Sequence, residues 1–245
     1  MHTVTTLGTL ADNYTYVVES QGEAVVIDPG EASPVLRTLE SSGASLLAVL
    51  CTHGHFDHTG GNEELSRRTG CEVLLPDTSG ADRMVAVGPF EFTVLGTPGH
   101  SADSVCFYLP KTDGQPGDVF TGDTLFCGGC GRVFTRSPEA MWASLRKLAV
   151  LPPDTRVFCG HDYTLENYEF AVTVEPGNPV VEARLEEARR LAADGSITVP
   201  STIAAERDTN VFLRAGDPKL RRVLGMEQAT DAEVFAEVRR RKDRF

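Results

Sequence analysis

Four side chains that commonly bind metal ions, His53, His55, Asp57 and His58, lie together in the string Thr-His-Gly-His-Phe-Asp-His. Imidazole and carboxylate ligands together suit zinc, iron or manganese. On an extended segment, His53 and His55 point to the same side, because side chains repeat every two residues along a strand. Asp57 and His58 follow where the chain turns towards a helix, so they can face a second position. The sequence therefore predicts a metal site, and this one stretch could serve two ions.

The candidate ligands come directly after short apolar runs of the kind that form β-strands. The pairs of run and following ligand are 46–50 and His53, 92–95 and His100, 118–121 and Asp123, and 156–159 and His161. In α/β proteins, ligands gather at the carboxyl ends of strands, where a rigid sheet holds the loops. The pattern predicts one site that is assembled from four strand ends.

The composition is that of an ordinary globular protein of 245 residues, with 41% hydrophobic and 24% charged residues. The formal net charge of −12 argues against a nucleic-acid partner, because phosphate binding needs surplus Lys and Arg. No apolar run approaches the roughly 18 residues that span a bilayer. The first residues lack the features of a signal or transit peptide. We expect a cytoplasmic protein that binds neither nucleic acid nor membrane.

The cysteines allow two interpretations. Cys51, Cys106 and Cys159 lie inside apolar runs, which predicts buried thiols. Cys127 and Cys130 have Cys-x-x-Cys spacing, which is typical of a redox pair or of half a zinc site. No second Cys-x-x-Cys completes a zinc site, and the two glycines between these cysteines indicate a loop that needs backbone freedom. A redox role stays open as the lesser alternative.

The chain divides into two parts by its pattern. Up to about residue 163, short β-type runs alternate with helical segments, and beyond it the β pattern stops. Helix starts are predicted at Ser33-Pro34, Ser137-Pro138, Asn178-Pro179, Asp217-Pro218 and the capping box Thr230-Asp231-Ala232-Glu233. The sequence thus predicts an α/β domain over residues 1–163 and an α-helical region over residues 164–245.

These motifs carry a resemblance. The histidine string, with His100, Asp123 and His161 after it, resembles the metallo-β-lactamase superfamily. Within that superfamily, the chain is similar nearly end to end to the glyoxalase II (hydroxyacylglutathione hydrolase) family. The segments that carry the similarity are Ile27-Asp28-Pro29-Gly30, His58-Thr59-Gly60-Gly61-Asn62, residues 120–126, residues 151–155, residues 174–178, Val199-Pro200-Ser201-Thr202 and Arg241-Lys242-Asp243. The metal string indicates only the superfamily, and the helical tail with its Pro-Ser-Thr segment points to glyoxalase II.

The resemblance implies an αββα sandwich of two mixed β-sheets flanked by helices, followed by a C-terminal α-helical, substrate-binding domain. It also implies two divalent metal ions per chain, zinc first, with iron or manganese as alternatives. The implied ligands are His53, His55 and His100 for the first ion, Asp57, His58 and His161 for the second, and Asp123 as a bridge. Asp28 matches a structural aspartate beneath the site, which orients the histidine loop.

The implied reaction hydrolyses the thioester S-D-lactoylglutathione, and related 2-hydroxyacylglutathiones, to glutathione and D-lactate. This is the second step of methylglyoxal detoxification. A bridging hydroxide would attack the carbonyl, because metal coordination lowers the pKa of bound water towards roughly 7. Asp123 would hold both ions, and Asp57 would position the nucleophile, since a metal ligand is a weak base. Thiolates leave readily, with a pKa of roughly 8.5 for cysteine, so a strong general acid is less necessary.

Four residues match family positions that contact the glutathione tripeptide: Arg132, Tyr163, Arg239 and Lys242. Arg239 and Lys242 lie three residues apart on the last predicted helix and therefore share a face. The alternative is that the basic run containing them is solvated and only complements a helix C-terminus. Phe134 departs from the family, which often has tyrosine there, so one substrate hydrogen bond is expected to be missing.

Other functions share parts of this pattern. A mono-iron, persulfide dioxygenase-like oxidoreductase would share the histidine string but lack the helical tail. A hydrolase acting on thioesters of another thiol would keep the metal site and change the carrier-binding residues. A nuclease would need an inserted domain or a basic face, and a non-catalytic role is disfavoured because all seven ligand positions are filled. We expect a monomer whose partner is a small-molecule glutathione thioester.

Overall fold

The computed structural model describes residues 1–76 and 80–245, and its elements are numbered here in chain order. The strands are β1 (Thr3–Thr9), β2 (Asn13–Ser20), β3 (Glu23–Ile27), β4 (Ser45–Leu50), β5 (Glu72–Leu74), β6 (Arg83–Val87), β7 (Phe90–Gly96), β8 (Val105–Leu109), β9 (Asp118–Gly122), β10 (Leu125–Phe126), β11 (Gly129–Cys130), β12 (Arg156–Cys159) and β13 (Ser201–Thr202). The helices are α1 (Ala32–Ser42), α2 (Phe56–Thr59), α3 (Asn62–Thr69), α4 (Pro138–Ala149), α5 (Thr164–Val174), α6 (Pro179–Ala193), α7 (Ile203–Thr209), α8 (Pro218–Leu224) and α9 (Asp231–Lys242).

The strands form two mixed sheets and a short hairpin. The first sheet has the order β1-β2-β3-β4-β5, with antiparallel pairs up to β3 and parallel pairs beyond it. The second has the order β13-β12-β9-β8-β7-β6, in which the β12–β9 pair is parallel and the others are antiparallel. Strands β10 and β11 pair with each other. Strands β7, β9 and β12 therefore run in one direction and end at the same edge.

The two sheets enclose a core of aromatic and aliphatic side chains. Tyr16 and Ile27 of the first sheet pack in one cluster with Phe120 and Phe158 of the second, and each is at most 2% exposed. The ring of Phe158 lies 5.3 Å from that of Tyr16 and 5.2 Å from that of Phe120, a spacing at which aromatic pairs attract. Burial of each such side chain contributes roughly 1.5–3 kcal/mol. This core holds rigid the strands whose ends carry the candidate ligands.

Helices cover the outer face of each sheet. On the first sheet, Val35 of α1 and Leu65 of α3 pack against Val26 and Val49. On the second, α4 and the C-terminal helices form one apolar cluster with β9 and β12, in which the Trp142 ring stacks on a phenylalanine of α9 at 6.1 Å. The layer order is helix, sheet, sheet, helix. The predicted αββα fold class is therefore confirmed.

The region after residue 163 is helical, with one exception. Helices α6, α8 and α9 begin at the predicted caps, and the capping box at Thr230 is present. The prediction that β structure stops at residue 163 is wrong, because Ser201 and Thr202 form β13 and pair with β12. One apolar cluster spans both parts of the chain, and their division into two domains stays a prediction. Among the described helices, none is long and apolar enough to cross a membrane.

The predicted start of the first helix is also wrong. The sequence predicts Ser33 as the N-cap before Pro34, whereas α1 begins at Ala32 with Glu31 as the N-cap. Proline is tolerated in this first turn because the first four N–H groups of a helix have no intrahelical partner. The Ser33 hydroxyl instead accepts a hydrogen bond from Arg37 Nη1 at 2.8 Å.

Candidate metal centre

Strand ends from both sheets bring the predicted ligands together. The loop after β4 carries His53 and His55, α2 carries Asp57 and His58, and β7, β9 and β12 lead to His100, Asp123 and His161. The predicted ligand atoms converge in two groups, each within 4.8 Å: His53, His55 and His100 in one, and Asp57, His58 and His161 in the other. A third such group, Asp28 with His53 and His58, overlaps both. The structure thus juxtaposes all the predicted ligands, and their role as ligands stays a prediction.

Asp123 lies between these two groups. Its Oδ1 is 3.4 Å from the Nε2 atoms of both His58 and His161, and its Oδ2 is 3.4 Å from His100 Nε2. Among the described residues, Oδ1 is buried without a hydrogen-bond partner. Leaving a buried polar group unpaired costs roughly 1–3 kcal/mol, and more for a charged group. A cation between the two groups would give this oxygen its missing partner.

Carboxylates behind two of the histidines direct their free nitrogens into the centre. His58 Nδ1 donates to Asp28 Oδ2 at 3.1 Å, and His161 Nδ1 donates to Asp12 Oδ1 at 3.0 Å. These tautomers follow from the partners, since an ionised carboxylate only accepts. In the neutral rings, both Nε2 atoms then carry lone pairs, and they lie 3.2 Å apart. Facing lone pairs at this distance repel each other, so the arrangement favours a positive charge between the two nitrogens, either a proton or a metal ion.

The first group of histidines is oriented in the same way. Thr52 Oγ1 donates to a carboxylate at 2.6 Å, so it accepts from His53 Nδ1 at 3.1 Å. His100 Nδ1 donates to the carbonyl oxygen of Arg132 at 3.0 Å. The Nε2 atoms of His53 and His100 consequently point at His55 Nδ1, at 3.0 and 3.1 Å. Three nitrogens therefore converge where a metal ion would bind.

The electrostatics of the centre also favour a cation. Burial lowers the pKa of His53 to about 4, which keeps this imidazole neutral. Burial acts in the same direction on His161, but the carboxylates of Asp123 and Asp12 outweigh it and raise its pKa to about 9. Burial disfavours ionisation of Asp123, yet His161 and His58 hold the pKa of this carboxyl well below its usual range. The carboxylates therefore draw positive charge into the centre.

Asp28 supports the centre from beneath, as the sequence predicts. Its Oδ1 accepts from Thr52 N at 2.7 Å, and its Oδ2 accepts from the Thr52 hydroxyl and from His58. Both oxygens are thus already engaged in orienting the histidine loop. The residue has φ 52°, a left-handed conformation that costs roughly 1–3 kcal/mol and is retained mainly at functional sites.

Gly160 leaves space for the centre. A Cβ at this position would lie 2.6 Å from Asp123 Oδ1 and 2.7 Å from His58 Cε1, closer than such contacts allow. Glycine therefore lets the end of β12 approach the candidate ligands directly.

A cavity of about 450 Å³ opens over the centre. Its lining includes candidate ligands together with all four predicted substrate-binding residues, Arg132, Tyr163, Arg239 and Lys242. The Tyr163 ring stacks on that of His161 at 4.9 Å, with the planes 4° apart. Phe134 also lines the cavity, 59% exposed, with its ring 5.2 Å from that of His100. The cavity joins the metal-type centre to three cationic side chains.

Sequence reasoning missed two residues where the β1–β2 turn leads into β2. Asn13 Nδ2 donates to Asp57 Oδ2 at 3.0 Å, and Asp12 accepts from His161. An Asp-Asn pair is common in turns, so only its position at the start of a strand could have indicated a role in the centre. It also missed Glu166, which lines the cavity and accepts from Lys242 at 2.5 Å.

The Cys-x-x-Cys segment forms the β10–β11 hairpin. All the cysteines are buried and free, as predicted for three of them. Gly128 N donates to Glu206 Oε2 at 2.9 Å, and Asn210 Nδ2 donates to Gly129 O at 2.9 Å. Burial raises the pKa of Cys130 to about 11, which disfavours the reactive thiolate. These contacts favour a structural role, in which the C-terminal helices hold one wall of the cavity.

Comparison with known proteins defines the class and then the family. The family model described as Metallo-beta-lactamase superfamily matches residues 8–84 and 85–161, so fold and site together define a member of this superfamily. The model described as Hydroxyacylglutathione hydrolase C-terminus matches residues 162–245. The hydroxyacylglutathione hydrolase of Rhizobium meliloti (strain 1021) is 43% identical over 247 residues, covering 96% of this chain and 95% of that protein. The one from Chromohalobacter salexigens is 43% identical and covers 100% of both chains. The chain belongs to the hydroxyacylglutathione hydrolase family.

Solved structures share the fold of this chain. ETHE1 from Myxococcus xanthus superposes with a TM-score of 0.66 at 27% identity, covering 97% of this chain and 90% of that one. TTHA1623, solved in a di-iron-bound form, gives a TM-score of 0.59 at 29% identity, covering 86% and 100%. The family predicted from the sequence is confirmed. The chain is a metal-dependent hydrolase, and its His and Asp cluster is suited to divalent metal ions.

Proposed function

We propose that this chain hydrolyses S-D-lactoylglutathione, and related 2-hydroxyacylglutathiones, to glutathione and D-lactate as the second step of methylglyoxal detoxification. The observation that carries the proposal is the cavity in which a metal-type centre adjoins Arg132, Arg239 and Lys242. A negatively charged thiol carrier needs such cations, and its acyl group needs the centre. Relatives named hydroxyacylglutathione hydrolase match over the full length, and the family model of that hydrolase's C-terminus matches the helical tail.

We assign two divalent metal ions to the centre, most suitably zinc. The first would be held by His53, His55 and His100, the second by Asp57, His58 and His161, and Asp123 would bridge them. The convergence of these ligand atoms in two sets and the place of Asp123 between the sets support this assignment. When bound, the ions would supply a water of lowered pKa as nucleophile and would polarise the thioester carbonyl.

The protein's own side chains would position the nucleophile, orient the histidines and bind the carrier. Asp57 has a lowered pKa, because the hydrogen bond from Asn13 and the nearby histidines outweigh its partial burial. A carboxylate of such low basicity suits positioning of the nucleophile better than removal of its proton. Asp28 and Asp12 fix the tautomers of His58 and His161. We further assign carrier binding to Tyr163 and to the basic residues of the cavity, most of them in the helical region 164–245.

The carboxylate behind His161 yields a prediction that does not depend on turnover. Asp12→Ala is expected to weaken metal binding at the second position by about tenfold, because the imidazole loses the partner that orients it. Competition with a chromophoric chelator, followed by elemental analysis, measures this affinity. Asp154→Ala, which removes an exposed carboxylate paired with Lys111, serves as the control. Equal metal affinities in both variants would contradict a positioning role for Asp12.

Activity and metal content test the proposed function together. Purified protein is expected to bind about two metal ions per chain and to release thiol from S-D-lactoylglutathione with a kcat on the order of 1–10³ s⁻¹. A chelator should abolish the reaction, and added zinc should restore it. One tightly held iron per chain, with oxygen uptake that depends on a persulfide, would instead support the dioxygenase-like function. Activity confined to thioesters of another thiol would support the hydrolytic reaction but contradict glutathione as the carrier.

A further inference from the structure

Two of the three cations that line the cavity are already neutralised by carboxylates of the chain. Arg239 pairs with Asp243 at 2.8 Å and donates to the Cys130 carbonyl at 2.9 Å. Lys242 pairs with Glu166 at 2.5 Å. Among the described residues, Arg132 has no side-chain hydrogen bond or ion pair, so it alone of the three offers an uncompensated charge. An anionic carrier therefore meets one free cation and two occupied ones.

The two carboxylate partners differ in their position. Asp243 lies four residues after Arg239 at the end of the same helix, so this pair is local. Glu166 belongs to α5, its side chain is 60% exposed, and it lines the cavity itself. Its carboxylate consequently lies where the carboxylate of a ligand would have to bind to reach Lys242.

The surroundings of Lys242 indicate that a ligand carboxylate would replace the Glu166 carboxylate one for one. The Lys242 side chain is only 7% exposed, and its ammonium lies 5.6 Å from the Phe170 ring and 5.0 Å from the Phe245 ring. Its hydrogen bonds go to the carboxylate and, at 3.3 Å, to the carbonyl oxygen of Glu166. Burial lowers the pKa of Lys242, and the Glu166 carboxylate opposes that effect. A largely buried ammonium without a carboxylate is costly, and both hydrogen bonds of Lys242 go to Glu166, so a ligand carboxylate would compete with Glu166 for this ammonium.

We propose that Glu166 is a specificity-determining residue that competes with the carboxylate of the thiol carrier for Lys242. In the free protein its carboxylate occupies the subsite, and on binding it swings to solvent while the carrier replaces it. The Glu166 carboxylate therefore weakens the binding of every carrier that brings a carboxylate to Lys242. The binding of a carrier without a carboxylate at this end is not weakened. This inference rests on the proposed function, because it takes the glutathione glycine carboxylate as the ligand.

The test compares Glu166→Gln with the unaltered enzyme on two substrates. Glutamine keeps the shape of the side chain and removes its charge, so KM for S-D-lactoylglutathione is expected to fall about two- to fivefold, with kcat unchanged. With the glycine ethyl ester of the same thioester, which has no carboxylate there, the two enzymes should have equal KM values. Glu186→Gln, which removes an exposed carboxylate paired with Arg189 on α6, controls for net charge.

Binding of glutathione itself, measured by titration calorimetry, separates this inference from the proposed function. Tighter binding of glutathione to Glu166→Gln than to the unaltered protein supports the exchange even if neither hydrolyses the thioester. An unchanged or higher KM in the variant, in an enzyme that does hydrolyse the thioester, overturns the role of Glu166. An equal fall in KM for acid and ester overturns the competition with the carboxylate. Absence of glutathione binding to both proteins overturns the inference as well.

Discussion

Replacing Asp123 with alanine is expected to lower kcat/KM for the thioester by at least about 10³-fold, equivalent to roughly 4 kcal/mol of transition-state stabilisation. Its two oxygens face opposite groups of histidines, with Oδ2 near His100 and Oδ1 near both His58 and His161. Asp57 belongs to only one of these groups, and Asp28, which also lies near His53 and His58, has both oxygens engaged by Thr52 and His58. The variant should therefore lose metal from both positions as well as activity.

The metal content of the Asp123 variant is the decisive measurement. Elemental analysis after gel filtration should show fewer than two ions per chain, and thermal unfolding should show whether the fold persists. Asp123→Asn tests charge separately from shape, because the amide keeps one carbonyl oxygen but cannot bridge two cations as a carboxylate does. Asp194→Ala, which removes an exposed carboxylate just after the end of α6, provides the control. A variant that keeps two ions and its activity would exclude a bridging role for Asp123.

The sequence was most informative where each candidate ligand follows a strand directly. His53, His100, Asp123 and His161 come from four strands, yet each lies within four residues of a strand end. Once the strands are identified by their local pattern, the rule that strand ends carry ligands gathers these residues without any knowledge of long-range contacts. The fold class followed from the same alternation of elements, together with the resemblance to a family.

The supporting contacts could not be predicted in this way, because they join residues far apart in the chain. Asp12 and His161 are 149 residues apart, and they meet because the start of β2 lies beside the end of β12. Strand β13 was missed for a related reason: two residues carry no periodicity, and Ser201 is a strand only through its pairing with Val157. Register and sheet order, which single-sequence patterns do not determine, fix both features.

The basic run at the end of α9 fits both interpretations of that motif, carrier binding and a solvated helix end, each for different residues. Arg240 and Arg241 are exposed and pair with Glu237 on their own helix, as a solvated helix end would. Arg239 and Lys242, three residues apart, line the cavity instead. Helical periodicity predicts that these two share a face, but which face is turned to the cavity depends on the packing of α9 against α4. The sequence alone therefore left the two alternatives open.

Removing both inward-facing cations is expected to raise KM with little change in kcat. Charge-assisted hydrogen bonds contribute roughly 1.5–3 kcal/mol each at most. Arg239 and Lys242 already have carboxylate partners, so a substrate gains only the difference, roughly 1 kcal/mol for each. The variant Arg239→Ala with Lys242→Ala should consequently raise KM for S-D-lactoylglutathione by about 30-fold and retain its metal.

The matched control for this double variant lies on the same helix. Arg240→Ala with Arg241→Ala removes the same charge from the outward face, where both side chains pair with Glu237, so KM should change less than about twofold. Loss of Arg239 also removes the donor to the Cys130 carbonyl, so a thermal melt should show some loss of stability in the inward variant. Steady-state kinetics on both variants decide the matter. Equal rises in KM would mean that α9 acts only through its overall charge, and an unchanged KM in the inward variant would remove these residues from carrier binding.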